Sequence, residues 1–321
     1  MAATPARART PLADGVAGLG SEGRKLMTTP KARLGLVGLG LMGSAMAKRL
    51  SDCGYPLAGF DIAADKLRAA GDRGVEPAGS AAAVAAAADV VLISVTGMPA
   101  LEAALFAADG ILAGARPGQV IVDTSTSDGA VTLDWASRIR AEHGVDWIDA
   151  PVSGGPPAAA AGTLAIMAGG EAAVLARVRP VLEDLGQLSH MGPVGAGQAT
   201  KMVNQVLVLT NYCVLAEALK LAEKAGVDAA RIPEALAAGH AGSNMLRDIF
   251  PRMLARAYEP PAGLSAQILK DLDMVHDLAR TTATPTPMTD TARSLFRLFC
   301  ARGHGGEDGI ALLKLYDDTA V

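Results

Sequence analysis

Cysteine is scarce in this chain: Cys53, Cys213 and Cys300 are the three among 321 residues, far apart and odd in number. No C-x-x-C, H-E-x-x-H or clustered His/Cys set accompanies them, which argues against a disulfide framework and against a metal site. A reducing, cytoplasmic setting fits such a chain. An excess of one charge is also missing. The net charge is −4, with no basic face and no long like-charge run, so neither nucleic acid nor an anionic membrane is expected as a partner. Long hydrophobic runs are absent too. The most apolar stretch, Met202–Leu209, meets Asn211, Glu217 and Lys220 before a bilayer could be crossed, so no membrane span is expected. Residues 1–30 lack the apolar core of a signal peptide. Their Arg7, Arg9, Arg24 and Lys25 faintly resemble a transit peptide. Small residues, Pro and Gly dominate without helical periodicity, and the expectation is a disordered tail, or a true start at Met27.

What is present is a large apolar fraction, 50% of residues against 19% charged, enough for a sizeable core, and a length that suggests two domains. From Arg33 onward RLGLVG, PLAGFD, DVVLISV, QVIVDTS and VDWIDAP alternate with Ala-rich helical segments such as LMGSAMAKRLSDCG. That βαβ rhythm predicts an α/β fold: a doubly wound, mostly parallel sheet of the Rossmann type, its strands buried on both faces. After Gly197 the rhythm stops. Lys201–Ala225 contains no Gly or Pro and carries Val203, Leu207, Val214, Leu215, Ala218 and Leu221, and four further helical stretches follow. The sequence therefore predicts a dinucleotide-binding domain over 31–195. An all-helical domain over 196–321 follows, opened by a long interdomain helix.

RLGLVG runs directly into Gly38-Leu39-Gly40-Leu41-Met42-Gly43 and then a helix, the G-x-G-x-x-G pattern in the context that gives it meaning. The first glycine permits the turn, the second a close pyrophosphate, and the third the packing of helix on strand. The next strand ends at Asp61, placed to accept hydrogen bonds from an adenosine ribose. A carboxylate there repels a 2′-phosphate, and no Arg follows at Ile62 or Ala63, so NAD is preferred. Lys66 and Arg68 keep NADP open.

Later strand ends offer Val95-Thr96 and Thr126 as cofactor contacts, although a Thr in either loop serves equally well as a turn or helix cap. In Asp149-Ala-Pro-Val-Ser-Gly-Gly155, the Ser153 hydroxyl and the N–H groups of Gly154 and Gly155 suit a carboxylate; a plain turn would look similar. Lys201, Asn204 and Gln205 share one helical face. They form either a solvated first turn or a cluster at the cleft between domains, where an amine losing water has its pKa lowered toward working pH.

GLGLMGSAMAKRL, DAPVSGG, the G-x-x-G-x-G-x-x-x-K of Gly192–Lys201 and the LKDL of Leu269–Leu272 together resemble the β-hydroxyacid dehydrogenases. That family includes 3-hydroxyisobutyrate dehydrogenase and tartronate semialdehyde reductase and is related to 6-phosphogluconate dehydrogenase. The likeness runs from about residue 33 to 315. It implies an NAD(P)-dependent oxidoreductase that interconverts a small β-hydroxyacid and its semialdehyde or keto acid. Ser153, Gly154 and Gly155 would hold the substrate carboxylate and Lys201 would be the general acid/base. Asn204 or Gln205 would orient the substrate, and Lys270 would close the site near the nicotinamide. A homodimer or homotetramer is expected.

Two departures stand out. The position written as Asn in the family's K-x-x-x-N is Gln205 here, with Asn one residue earlier. An aromatic residue of the tartronate semialdehyde reductases is replaced by Ala262 in Tyr258-Glu-Pro-Pro-Ala262, which argues for a reshaped pocket. Imine reduction on the same architecture, or a non-catalytic dinucleotide-binding module, are the alternatives; relatives of both kinds lack this lysine.

Overall fold

The apolar runs of the first half pair side by side. The structure, a computed structural model, describes residues 31–317, and the tail expected at 1–30 lies outside the described residues. The strands β1 (Leu34–Val37), β2 (Leu57–Phe60), β3 (Glu76–Pro77), β4 (Val90–Ile93), β5 (Val120–Asp123) and β6 (Asp146–Asp149) run parallel in the order β3-β2-β1-β4-β5-β6. Beyond β6 come β7 (Val152–Ser153) and β8 (Leu164–Gly169), paired antiparallel to each other. The last strand, β9 (Gly186–Gly192), runs parallel to β8. The order reverses between β1 and β4, which opens a crevice at the carboxyl ends of those strands.

The crossovers are α1 (Leu41–Asp52), α2 (Ala64–Gly71), α3 (Ala81–Ala87), α4 (Met98–Phe106), α5 (Ile111–Gly114), α6 (Gly129–His143), α7 (Gly155–Ala161) and α8 (Ala172–Leu185). They cover both faces. Leu34, Leu36, Val90, Leu92, Val120 and Val122 join one core with Met46 of α1 and Val178 of α8. Val91, Ile93 and Ile121 join the other with Val84 of α3, Leu101 of α4 and Ile139 of α6. Alternate residues thus serve opposite cores, which is why these strands are apolar throughout. Each fully buried Leu, Ile or Val contributes about 1.5–3 kcal/mol.

The sheet is longer than the sequence suggests. Strand β9, GQLSHMG, is polar and mostly exposed at the edge, so it carries no apolar signal. Strand β7 occupies Val152–Ser153, where a loop was expected.

After Gly192 one isolated antiparallel bridge, Leu264 with Asp308, is the sheet-type pairing among the described residues, and the rest is turns and helices. These are α9 (Ala196–Lys224), α10 (Ile232–Ala235), α11 (Phe250–Leu254), α12 (Ser265–Thr281), α13 (Pro287–Phe299) and α14 (Lys314–Asp317). Among the helical stretches expected, SNMLRDIFPRMLARAY (Ser243–Tyr258) holds a wide π turn at Met245–Ile249 and then α11. Pro251 has no N–H to continue a regular ladder. Helix α9 is long and apolar enough to cross a membrane by length and composition, more than the sequence reading allowed. Here it packs on β8 on one side and on α12 and α13 on another. Leu209 and Cys213 enter one helical core and Leu215 and Leu219 another. Val203, Leu207 (64% exposed), Val214 and Leu221 (72% exposed), counted among its apolar residues, are exposed instead. Sheet and helices fall within one compact unit from Lys31 onward.

Candidate functional site

The three glycines after β1 behave differently. Gly38 has φ of +95°, and a Cβ on it would lie 2.2 Å from the Ser94 carbonyl oxygen. A Cβ on Gly43 would lie 1.9 Å from the Gly38 oxygen, so α1 touches the turn directly. Around Gly40 a Cβ would meet nothing within 4 Å. The open side is where a ligand can approach, and α1 begins there without a side-chain cap, its first N–H groups available to an anion. Asp61 staples this loop: Leu39 N donates to its Oδ2 (2.7 Å) and Ala63 N to its Oδ1 (2.8 Å).

A cleft of about 1040 Å³ runs from this loop to Lys201 and on to α12. Of the residues expected to contact cofactor, Leu39, Gly40, Leu41, Met42, Val95, Thr96, Thr126 and Lys270 line it. Gly155 and Lys201 line it as well. Gly38, Gly43, Asp61, Ser153, Gly154, Asn204 and Gln205 do not. Ser94, Thr124, Ser125, Gln267 and Asp271 also line the cleft, although no motif had marked them. At the glycine-loop end stand Lys48, Lys66 and Arg73. Lys48 is paired with Asp52 (2.6 Å), while Lys66 and Arg73 have no ion pair among the described residues.

Lys201 is 7% exposed, and its Nζ donates to the Val152 carbonyl (2.8 Å), just ahead of Ser153. Burial lowers its pKa to about 8; Asp271 opposes the shift and Lys270 adds to it. Lys270 Nζ stands 3.0 Å from Asp271 Oδ1. That pair is too poorly aligned to count as a hydrogen bond, and Asp271 Oδ1 is left buried without a donor. Lys270 Nζ also reaches the Thr126 carbonyl at 3.4 Å. Gln205 Nε2 donates to Asp271 Oδ2, and Asn204 Nδ2 donates to Gln205 Oε1 (2.8 Å). The solvated-turn alternative for Lys201 is therefore wrong: the amine is buried against the sheet.

The expected cradle is divided between a strand and a helix start. Ser153 belongs to β7, Gly154 has φ of +128° and Gly155 starts α7. Pro156 and Pro157 follow and have no N–H, so Gly154 and Gly155 are the consecutive backbone donors beside the Ser153 hydroxyl.

Two buried carboxylates lie beneath. Asp149 is fully buried, receives Gly195 N (2.8 Å) and Gln198 N (2.9 Å), and so caps α9 from the end of β6. Asp123 receives Ser125 N (2.9 Å) and Ser127 Oγ (2.8 Å). Burial pushes its pKa up to about 6 against those hydrogen bonds, with Asp149 adding to the rise. Among the described residues no group of three His, Cys, Asp or Glu is placed to hold a metal.

Residues 33–202 match the model of the NAD binding domain of 6-phosphogluconate dehydrogenase. Residues 195–316 match the NAD-binding model of NADP-dependent 3-hydroxyisobutyrate dehydrogenase. The chain belongs to the β-hydroxyacid dehydrogenase family. It is an NAD(P)-dependent oxidoreductase of that family, and its relatives align along nearly their whole length. The 2-hydroxy-3-oxopropionate reductase of Escherichia coli is 37% identical over 88% of this chain and 96% of its own. The 2-(hydroxymethyl)glutarate dehydrogenase of Eubacterium barkeri is 33% identical over 89% and 95%. Among solved structures, the 3-hydroxyisobutyrate dehydrogenase of Salmonella typhimurium superposes with a TM-score of 0.81 at 28% identity, covering 89% of this chain and 100% of the other.

Proposed function

We propose that this β-hydroxyacid dehydrogenase interconverts a small β-hydroxyacid and its semialdehyde or keto acid, with Lys201 moving the hydroxyl proton. The observation that carries the reading is the buried Lys201 amine, at the far end of the cleft that begins at the glycine loop. Bound at Leu39–Gly43, Val95, Thr96 and Thr126, the nicotinamide cofactor supplies the hydride acceptor or donor. The protein supplies the rest. In oxidation the neutral amine, available because burial holds its pKa near 8, takes the proton from the substrate hydroxyl as the hydride departs. In reduction the ammonium returns it. Its bond to the Val152 carbonyl aims Nζ beside the cradle, where the Ser153 hydroxyl and the N–H groups of Gly154 and Gly155 hold the substrate carboxylate.

The two amides divide their work. An ionised carboxylate only accepts, so Asp271 draws the NH₂ end of Gln205. The Gln205 oxygen then faces the Asn204 NH₂, and Asn204 Oδ1 is the amide atom left without a donor among the described residues. Asn204 is the orienting amide, and Gln205 holds it. Lys270, from α12, closes the nicotinamide end against Thr126.

NAD is the preferred cofactor, because Asp61 sits at the end of β2 and meets a 2′-phosphate with like charge. Lys66 and Arg73 at the same end let NADP bind more weakly. The part up to residue 195 carries the dinucleotide site and the carboxylate cradle, and the part from 196 supplies the proton-moving lysine, the amides and Lys270. Dimers or tetramers form through apolar faces of the helical part, for which the exposed Val203, Leu207, Val214 and Leu221 speak. A cytoplasmic setting completes the reading.

A spectrophotometric screen for NADH formation tests it, run over 3-hydroxyisobutyrate, glycerate, threonate, serine and 4-hydroxybutyrate and repeated with NADP. Turnover of at least one acid, faster with NAD, is expected; no turnover with either cofactor over the whole panel overturns the reading.

A further inference from the structure

Gln198 lies one helical turn before Lys201 and is 1% exposed. Its side chain does not line the cleft, yet both ends of its amide are used. Gln198 Nε2 donates to the Ser125 carbonyl (2.9 Å), and Ser127 N donates to Gln198 Oε1 (3.1 Å). Among the described residues these two bonds are the only hydrogen bonds between α9 and the loop that follows β5. That loop lines the cleft through Thr124, Ser125 and Thr126. Ser125 extends the connection, because Val95 N donates to its Oγ (3.1 Å) and so joins the loop after β4. A continuous strand of hydrogen bonds therefore runs beneath the cleft from Val95 through Ser125 to Gln198.

We propose that Gln198 is a positioning residue that ties the nicotinamide-side loops to the turn of α9 carrying Lys201. The inference rests on the reading of Lys201 as the proton-moving group. The amine sits on a helix of one half of the chain, while Val95, Thr96 and Thr126 sit on strand ends of the other. Hydride and proton leave neighbouring atoms of one substrate, so the amine and the nicotinamide wall must keep one spacing. The Asp149 cap fixes the start of α9 against β6, but only Gln198 registers it against the loop after β5. An amide suits the task because it donates at one end and accepts at the other.

Two variants test this. Q198M keeps the volume and loses both bonds. It is expected to slow single-turnover hydride transfer at saturating cofactor by about 100-fold, the scale of an ångström-sized misplacement, while the cofactor Kd moves far less. Q198E can donate to the Ser125 carbonyl only when its carboxyl is protonated, which burial beside Asp123 of β5 and Asp149 of β6 favours. The ratio of Q198E to wild-type rates should therefore rise as pH falls. The Q198M ratio should stay flat, since both ratios cancel the titration of Asp123, Asp149 and Lys201. Wild-type hydride transfer in Q198M, or a Q198E ratio that does not change with pH, overturns the inference. If Q198M does not fold, the pH ratio of Q198E decides alone. A wild-type protein inert over the whole hydroxyacid panel fails the underlying reading, and this one with it. An active wild type matched by Q198M fails this one only.

Discussion

The two ends of the cleft are built from different materials. At the glycine-loop end the working groups are main-chain N–H groups, and the side chains are conspicuous by their omission: Gly38, Gly40 and Gly43 leave room, and Asp61 bonds backbone. At the Lys201 end they are side chains, an amine, a second amine and a carboxylate, with two amides behind them, each held by another residue. A backbone site recognises a constant ligand by shape and dipole, and it fails when something is added. A side-chain site tunes charge, and it fails when something is removed.

That contrast can be broken at each end. The largest effect is expected from Lys201→Ala, which should lower kcat by about 10²- to 10⁴-fold, the usual worth of a general acid/base. The cofactor Kd, from titration of cofactor fluorescence, should scarcely move. Equal losses in both would mean that the amine binds rather than reacts. Next is Gly43→Ala, an addition of one methyl group. With a Cβ 1.9 Å from the Gly38 oxygen, the turn must shift, at about 1–3 kcal/mol or more. Thermal unfolding should fall and cofactor binding weaken, and a variant with wild-type Kd would show that α1 can slide without consequence.

Asp61→Ala should narrow the gap between NAD and NADP, read as the ratio of the two kcat/KM values; an unchanged ratio places the discrimination elsewhere. The smallest effect concerns pH. The Lys201 pKa of about 8 means that oxidation rises as pH climbs through that value and reduction falls. Asp271 supports the charged amine, so Asp271→Asn should move the midpoint of kcat against pH below that of the wild type. Movement upward would contradict the charge assignment. The same lysine affects stability. Its folded pKa lies below its unfolded value, so the folded state binds fewer protons, and this group favours folding progressively as pH rises from about 8 toward 10.5.

Much of the fold was legible because its signals are local. The five apolar runs are the strands β1, β2, β4, β5 and β6, and the glycine spacing marks the turn directly. The place of Lys201 on the cleft was legible because the G-x-x-G-x-G-x-x-x-K run ends on it. What could not be read depends on distant approach. The bond between Gln205 and Asp271 spans 66 residues of chain, and that between Asp149 and Gln198 spans 49. Asp271 stood unmarked inside LKDL, since nothing in the pattern says which of its two charged residues meets an amide from α9. Gln198 had no signal at all, being one small-looking polar residue in GAGQATK. Strand β9 was missed because an exposed edge strand is polar and resembles a loop. Val203, Leu207, Val214 and Leu221 are the reverse case, apolar residues that do not enter this chain's core.

The Asp149 cap makes the start of one half of the chain depend on the other. Helix α9 has no side-chain cap of its own, so its first turn borrows one from the end of β6. An uncapped helix start frays, at a cost of about 1 kcal/mol. The first turn of α9, and Lys201 with it, thus depends on a carboxylate 49 residues earlier in the chain: the place of the amine is set by the sheet as much as by the helix that carries it.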